Sequence, residues 1–135
     1  RLITDPHFHL WSPSTHMILK YPSFASHKAD ALGGTLDCLY NYPVYTIQDF
    51  MYESKKYRLD KCVYMECSPD DDNMEYHGLK EVKTIQTIAD KYGFPNGIIG
   101  GAHLTSPNIE DVIKKQMECK NFRGIRPVIC YNNKH

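Results

Sequence analysis

Four short apolar runs, separated by segments of helical periodicity, limit the possible folds of this chain more than any other feature. The runs lie near residues 2–8, 61–67, 97–104 and 124–129. They are continuously apolar rather than alternating, which is typical of strands in a parallel sheet covered on both faces. We therefore predict an α/β fold in which helices connect four parallel strands in the order β-α-β-α-β-α-β.

The connecting segments carry helix signals of spacing and capping. The predicted helices are Thr46–Tyr57, Met74–Tyr92 and Pro107–Cys119. The residues predicted to cap them are Thr46 with Asp49 in a capping box, then Asp72 or Asn73, then Ser106. The residues predicted to face the sheet are Ile47, Phe50, Met51 and Ser54, then Leu79, Val82, Ile85, Ala89 and Tyr92, then Ile109, Val112, Ile113 and Met117.

The connection after the first strand, residues 11–45, is the exception to this alternation. It is rich in Pro, Ser, Tyr and Gly and has no clean periodicity. Structureless loops of this length are uncommon unless they are functional or disordered. Its Tyr and Pro content favours an ordered lid or insertion over a disordered segment.

Two histidines stand at the end of the first predicted strand, in the motif Asp5-Pro6-His7-Phe8-His9-Leu10-Trp11. Residues i and i+2 of a strand point to the same side. Two imidazoles on one side can converge on one divalent cation such as Zn²⁺, for which histidine nitrogen is a common ligand. The spacing therefore predicts that His7 and His9 bind a metal ion.

Composition excludes several classes of function. Sixteen basic and sixteen acidic residues cancel without a Lys/Arg stripe, which argues against nucleic-acid binding. The apolar stretches are far shorter than the ~20 residues that span a bilayer, and nothing resembles a secretory signal. The five cysteines are an odd number without a C-x-x-C pair, so we expect reduced thiols in a cytoplasmic protein. The acidic group Asp70–Asp72 with Glu75 lacks the pattern of a calcium loop and fits a helix N-terminus.

Four segments in chain order resemble one known family. The first strand ending in His7-Phe8-His9 looks like the metal-binding signature of the amidohydrolase-related TIM-barrel family. Val63–Cys67, with Glu66 after an apolar run, is similar to the second strand of its lactonase-like branch. Residues 97–105 resemble the third strand, although many relatives carry an aspartate where this chain has His103. Phe122–Arg126 matches a G-I-R element that opens the fourth strand.

The resemblance implies a fold and an activity. The chain would be a single partial domain, residues 1–135, forming the N-terminal (β/α)4 half of a (β/α)8 barrel. The implied activity is metal-dependent hydrolysis of a small lactone, or of a related ester or amide of an organic or sugar acid. The implied cofactor is a divalent metal, zinc by preference, with manganese or no metal as alternatives. His7 and His9 would hold it.

The resemblance also suggests residues that bind the substrate. Arg126 has a planar fork suited to a substrate carboxylate. Glu66 could hydrogen-bond a ligand, orient a metal-bound histidine or form a structural ion pair with Arg126. His103 lies near a strand end, where it would contact substrate or pack behind the site.

The remaining parts of such an active site are expected beyond residue 135. Relatives take further histidine ligands from the fifth and sixth strands and an aspartate, the general base, from the eighth. We therefore expect a missing C-terminal half, a partner chain or self-association, and activity only from the completed barrel. Two alternatives stay open: a decarboxylase of the same superfamily, and an inactive half-barrel that serves as a binding or assembly module.

Overall fold

The computed structural model describes residues 1–12, 41–67 and 76–127. Their regular elements alternate along the chain, as the sequence predicts. In order they are β1 (Ile3–Phe8), α1 (Ile47–Ser54), β2 (Leu59–Met65), α2 (Leu79–Tyr92), β3 (Gly97–Gly100), α3 (Ile109–Met117) and β4 (Phe122–Ile125). None of the helices formed by these residues is long and apolar enough to cross a membrane.

The strands of the described residues form one sheet in the order β1-β2-β3-β4. Every neighbouring pair is parallel, with Phe8 beside Tyr64 and Ile98 beside Phe122. Parallel strands added in one direction through right-handed crossovers place their helices on one face of the sheet. The predicted α/β class with a parallel sheet is therefore confirmed.

The core lies on that helical face. Phe8 of β1 and Tyr64 of β2 pack there with Ile47 and Phe50 of α1, and Phe8 stacks on Phe50 with ring centroids 4.1 Å apart. The residues that alternate with them face the other way. Val63, Met65 and Ile99 on this second face are only half-buried, so among the described residues the sheet is covered well on one side only.

The predicted capping box is present at the start of α1. The Asp49 backbone N–H donates to Thr46 Oγ1, and the Thr46 backbone N–H donates to Asp49 Oδ2 over 2.7 Å. The second helix differs from prediction, because it begins at Leu79 after Gly78, which has a left-handed φ of 84°. The predicted caps Asp72 and Asn73 lie outside the described residues, as does the rest of the acidic group.

The inward face of α3 was predicted wrongly at its last turn. Met117 is 65% exposed, whereas the neighbouring Gln116 is completely buried. The Gln116 Nε2 donates to the backbone carbonyl of Gly101 over 2.9 Å. A polar residue occupies the buried position because a carbonyl at the end of β3 needs a donor there. The helix also begins at Ile109, two residues after the predicted start.

The strand boundaries also shift. The second strand runs from Leu59 to Met65, which places Glu66 immediately after it. The third strand ends at Gly100, so His103 and Leu104 lie in the following loop rather than in the strand. The fourth begins at Phe122 and ends at Ile125, which places Arg126 immediately after it. The long connection is described only at its two ends, where Trp11 and Tyr45 form an antiparallel bridge and stack with centroids 4.8 Å apart. Most of the predicted lid, residues 11–45, lies outside the described part of the chain, which omits residues 13–40.

Candidate active site

The imidazoles of His7 and His9 meet at the carboxyl end of β1. Their Nε2 atoms are 3.0 Å apart, and the rings lie edge to face at an interplanar angle of 74°. Phe8 between them is buried in the core, so both histidines point away from the helices. Asp5 Oδ1 accepts a hydrogen bond of 3.0 Å from the His7 backbone N–H and shapes the end of the strand. The predicted convergence of the two side chains is therefore present.

The hydrogen bonds of His9 define which nitrogen carries its proton. His9 Nδ1 lies 2.9 Å from the backbone carbonyl of Met65, which can only accept. His9 Nδ1 therefore donates, and in the neutral ring Nε2 presents a lone pair. Metal-bound histidines in proteins usually make this same bond from the second nitrogen to a carbonyl or carboxylate.

The surroundings of His9 favour its neutral form. Burial lowers the pKa of His9 below its usual value, and nearby His7 and Arg126 act in the same direction. Neutral imidazole is the form that binds metal. Two nitrogens bound to one tetrahedral zinc ion, each at ~2.0–2.1 Å, would be roughly 3.3 Å apart. The separation of 3.0 Å lies within a few tenths of an ångström of that value.

His7 and His9 do not form a complete metal site with the other described residues. No group of three or more His, Cys, Asp or Glu side chains within residues 1–12, 41–67 and 76–127 is placed to hold one ion. Catalytic zinc sites normally use three protein ligands. His7 and His9 therefore fit as two ligands of a centre that needs at least one more.

Glu66 and Arg126 form an ion pair at the ends of β2 and β4. Arg126 donates from Nε and NH2 to Glu66 Oε1 over 2.9 and 2.6 Å. The same NH2 group donates to the Glu66 backbone carbonyl over 2.7 Å. Glu66 is 3% exposed and the Arg126 side chain 35% exposed. The structure contains the pairing with Arg126, one of the possibilities that the sequence left open for Glu66.

A second carboxylate, not singled out from the sequence, supports Glu66 from behind. Glu81 of α2 is buried, and its Oε1 accepts from the Tyr64 hydroxyl over 2.7 Å and from the Cys67 backbone N–H over 2.9 Å. These bonds fix the residues on both sides of Glu66. An acidic residue two positions into a helix gives no sign in the sequence that it turns inward.

His103 stacks on His77, a residue that the sequence analysis did not single out. Their ring centroids are 4.3 Å apart with an interplanar angle of 24°. His77 also lies close to Gly101, where an added Cβ would come within 3.3 Å of His77 Nε2 and 3.8 Å of Glu66 Cβ. Because Gly101 has no side chain, both the histidine and the glutamate lie close to it at the end of β3.

The five predicted site residues fall into three groups at one edge of the sheet. His7 contacts His9, Glu66 contacts Arg126, and His103 contacts His77. Glu66 and Arg126 are close enough to His9 to act on its pKa. This edge holds the carboxyl ends of all four described strands, where parallel α/β folds place their ligand sites.

Comparison with known proteins finds a relative of this chain. Over 124 residues the chain is 36% identical to the uncharacterized protein y4mH of Sinorhizobium fredii (strain NBRC 101917 / NGR234). The match covers 92% of this chain and 39% of y4mH, so the chain spans about two fifths of the length of that relative. No family model and no solved structure matches the chain. The similarity carries no functional description.

Proposed function

We propose that this chain forms the first four β/α units of a (β/α)8 barrel of the amidohydrolase-related family, lactonase-like branch. The reaction is hydrolysis of a small lactone or a related ester or amide. The observation that carries the proposal is the convergence of His7 and His9, with His9 Nδ1 held by the Met65 carbonyl. That arrangement gives two neutral imidazoles a common direction at the catalytic edge of a parallel sheet.

The sheet supports the proposed barrel fold. Its strands follow chain order without reversal, as successive strands of a barrel do. The face opposite the helices carries Val63, Met65 and Ile99, half-buried apolar residues of the kind that fill barrel interiors. A groove of about 1360 Å³ runs along the outer edge of β1, from Ile3 to His9. Strands from further residues, a partner chain or a second copy would pair there and supply the missing ligands.

The residues of this chain would have distinct parts in the reaction. His7 and His9 would hold a divalent metal, zinc by preference, which lowers the pKa of water toward ~7 when bound. The Met65 carbonyl keeps the His9 proton on Nδ1 and so leaves Nε2 for the metal. Glu66 and Arg126 would line the substrate pocket, with His103 at its rim.

The proposal is tested on the polypeptide that carries this sequence in its native source, captured with an antibody against the chain. Intact mass, bound metal and hydrolysis of a panel of sugar-acid lactones are measured together with CO₂ release. We expect a mass well above 15.6 kDa, a bound divalent ion and lactone hydrolysis without CO₂. CO₂ release would replace the hydrolase by a decarboxylase.

A half-barrel that serves as a binding or assembly module is the alternative function. Under that alternative the captured polypeptide would have the mass of this chain and no tightly bound metal. It would also keep its partner after His7→Ala and His9→Ala.

A further inference from the structure

The way in which Arg126 is bound to Glu66 limits what else it can bind. A guanidinium has five N–H donors, one on Nε and two on each terminal nitrogen. The Nε donor and both NH2 donors are directed to Glu66, two to Oε1 and one to the backbone carbonyl, over 2.6 to 2.9 Å. The Arg126 backbone is held as well, because its N–H donates to the Gly100 carbonyl over 2.8 Å. Only NH1 has no partner among the described residues.

Recognition of a carboxylate by arginine normally uses two parallel N–H bonds from one edge of the guanidinium. One edge of Arg126, formed by Nε and NH2, is occupied by Glu66. The other edge includes NH2, whose second donor is held by the Glu66 carbonyl. A substrate carboxylate could therefore form the two-bond arrangement only by displacing Glu66.

Charge acts in the same direction as geometry. Glu66 is 3% exposed and lies 2.6 Å from the Arg126 guanidinium. The negative charge of Glu66 therefore offsets the positive charge of Arg126 at a position with little access to water. A second carboxylate beside this pair would place two negative charges against one positive charge. A neutral oxygen carries no such repulsion and needs one donor, which NH1 can supply.

We propose that Glu66 makes Arg126 selective for an uncharged oxygen of a ligand, such as a lactone carbonyl, ring oxygen or hydroxyl, and disfavours the binding of carboxylates. This replaces the carboxylate role that the sequence alone suggests for Arg126. It rests on the proposed function for the nature of the substrate. The pairing and its selectivity can be measured without any activity.

The first test uses the Nε–H NMR signal of Arg126 in the ¹⁵N-arginine-labelled chain, assigned by its loss in Arg126→Lys. Sodium acetate is the probe, and the signals of Arg58 and Arg123 are internal references. In the unmodified chain we expect acetate to move the Arg126 signal no more than the references. In Glu66→Gln we expect a saturable shift, while Glu118→Gln, the same charge change on an exposed residue, behaves like the unmodified chain.

Two results would overturn the proposal. One is a saturable shift of the Arg126 Nε–H signal by acetate in the unmodified chain. This result can be obtained even if Glu66→Gln does not fold. The other is a folded Glu66→Gln chain with no acetate shift at Arg126.

The second test compares kcat/KM for a neutral lactone and for its carboxylate-substituted analogue on the metal-loaded native polypeptide. Glu66→Gln is expected to change their ratio by about tenfold in favour of the anionic substrate, because a charge-assisted hydrogen bond contributes ~1.5–3 kcal/mol. An unchanged ratio counts against the proposal. Absence of turnover for every lactone would refute the hydrolase function, and the acetate experiment would still decide the selectivity of Arg126.

Discussion

Gln116, in the last turn of α3, donates a hydrogen bond of 2.9 Å from Nε2 to the backbone carbonyl of Gly101. Gln116 has no exposed surface, and Gly101 lies close to both His77 and Glu66 at the end of β3. The amide therefore links a helix on the far side of the sheet to the strand end that carries the candidate site. The close fit requires Gly100, because a Cβ there would collide with Gln116 Oε1 and Val82 Cγ2.

Replacement of Gln116 by Leu should destabilise the chain by about 1–3 kcal/mol, because the buried carbonyl of Gly101 would lose its donor. The matched control is Met117→Leu, the adjacent residue, which is 65% exposed. Its effect should stay within about 0.5 kcal/mol. Urea unfolding of both variants provides the measurement. Equal midpoints for the two would show that the Gln116 bond does not stabilise the fold.

Two glycines with the same backbone conformation should respond differently to Ala. Gly78 and Gly93 have φ angles of 84° and 79°, so Ala at either position costs roughly 1 kcal/mol in conformational strain. A Cβ at Gly78 would also collide with the Gly101 carbonyl, whereas a Cβ at Gly93 meets nothing within 4 Å. We expect Gly78→Ala to lower the unfolding free energy by about 1–3 kcal/mol more than Gly93→Ala. A similar loss for both, by urea unfolding, would mean that the Gly78–Gly101 contact is relaxed in solution.

Metal binding should depend on the pair at the end of β1 and not on the stacked pair near β3. Removing both imidazoles with His7→Ala and His9→Ala should abolish zinc binding, measured by competition with a chromophoric chelator. His77→Ala with His103→Ala removes the same number of imidazoles and should leave binding unchanged, since these rings stack face to face rather than converge. Full zinc stoichiometry in the His7/His9 variant would refute the metal site.

The capping box of α1 should give a pH-dependent contribution to stability. Hydrogen bonds from the Thr46 side chain and backbone hold the pKa of the Asp49 carboxyl below its usual value. A depressed pKa in the folded state stabilises it above the ordinary Asp value of about 4. That contribution is lost as the pH falls through the folded-state pKa.

Asp49→Asn should therefore lower the urea midpoint at pH 7, and the difference from the unmodified chain should shrink toward pH 3. In a Thr46→Ala background the same substitution should have a smaller pH-dependent effect, since the bond from the Thr46 hydroxyl to Asp49 is gone and only the bond from the backbone N–H remains. A difference that is constant from pH 7 to pH 3 would contradict the assignment.

Elements with regular periodicity could be predicted from the sequence. Contacts between a side chain and a backbone group far away along the chain could not. The face of α1, its capping box and the same-side placement of His7 and His9 depend on spacing along a few residues. Gln116 is buried because of a carbonyl fifteen positions earlier, which no local pattern indicates. Met117 was assigned to the core instead because its side chain is apolar, although it is exposed.

The candidate site was predictable to a similar extent. The pairing of Glu66 with Arg126 was one of the alternatives suggested by two opposite charges at the carboxyl ends of parallel strands, but the number of donors that it occupies required coordinates. His77 could not be recognised from the sequence because it lies in a turn before α2 and does not directly follow a strand along the chain. Its only sequence signal was Gly100-Gly101, two successive residues without side chains where other groups can approach closely.

The order β1-β2-β3-β4 bears on how such a chain acquires its structure. Each strand pairs with the one synthesised just before it, so every β/α unit can add to an edge that is already in place. The pairings still join residues far apart in sequence, such as Ile3 with Leu59, so loop-closure entropy is lost before two strands can pair and folding is slow compared with helical proteins. An unpaired edge strand also permits whole β/α units to be added, by lengthening or duplication of the gene, without displacing a strand that is already paired.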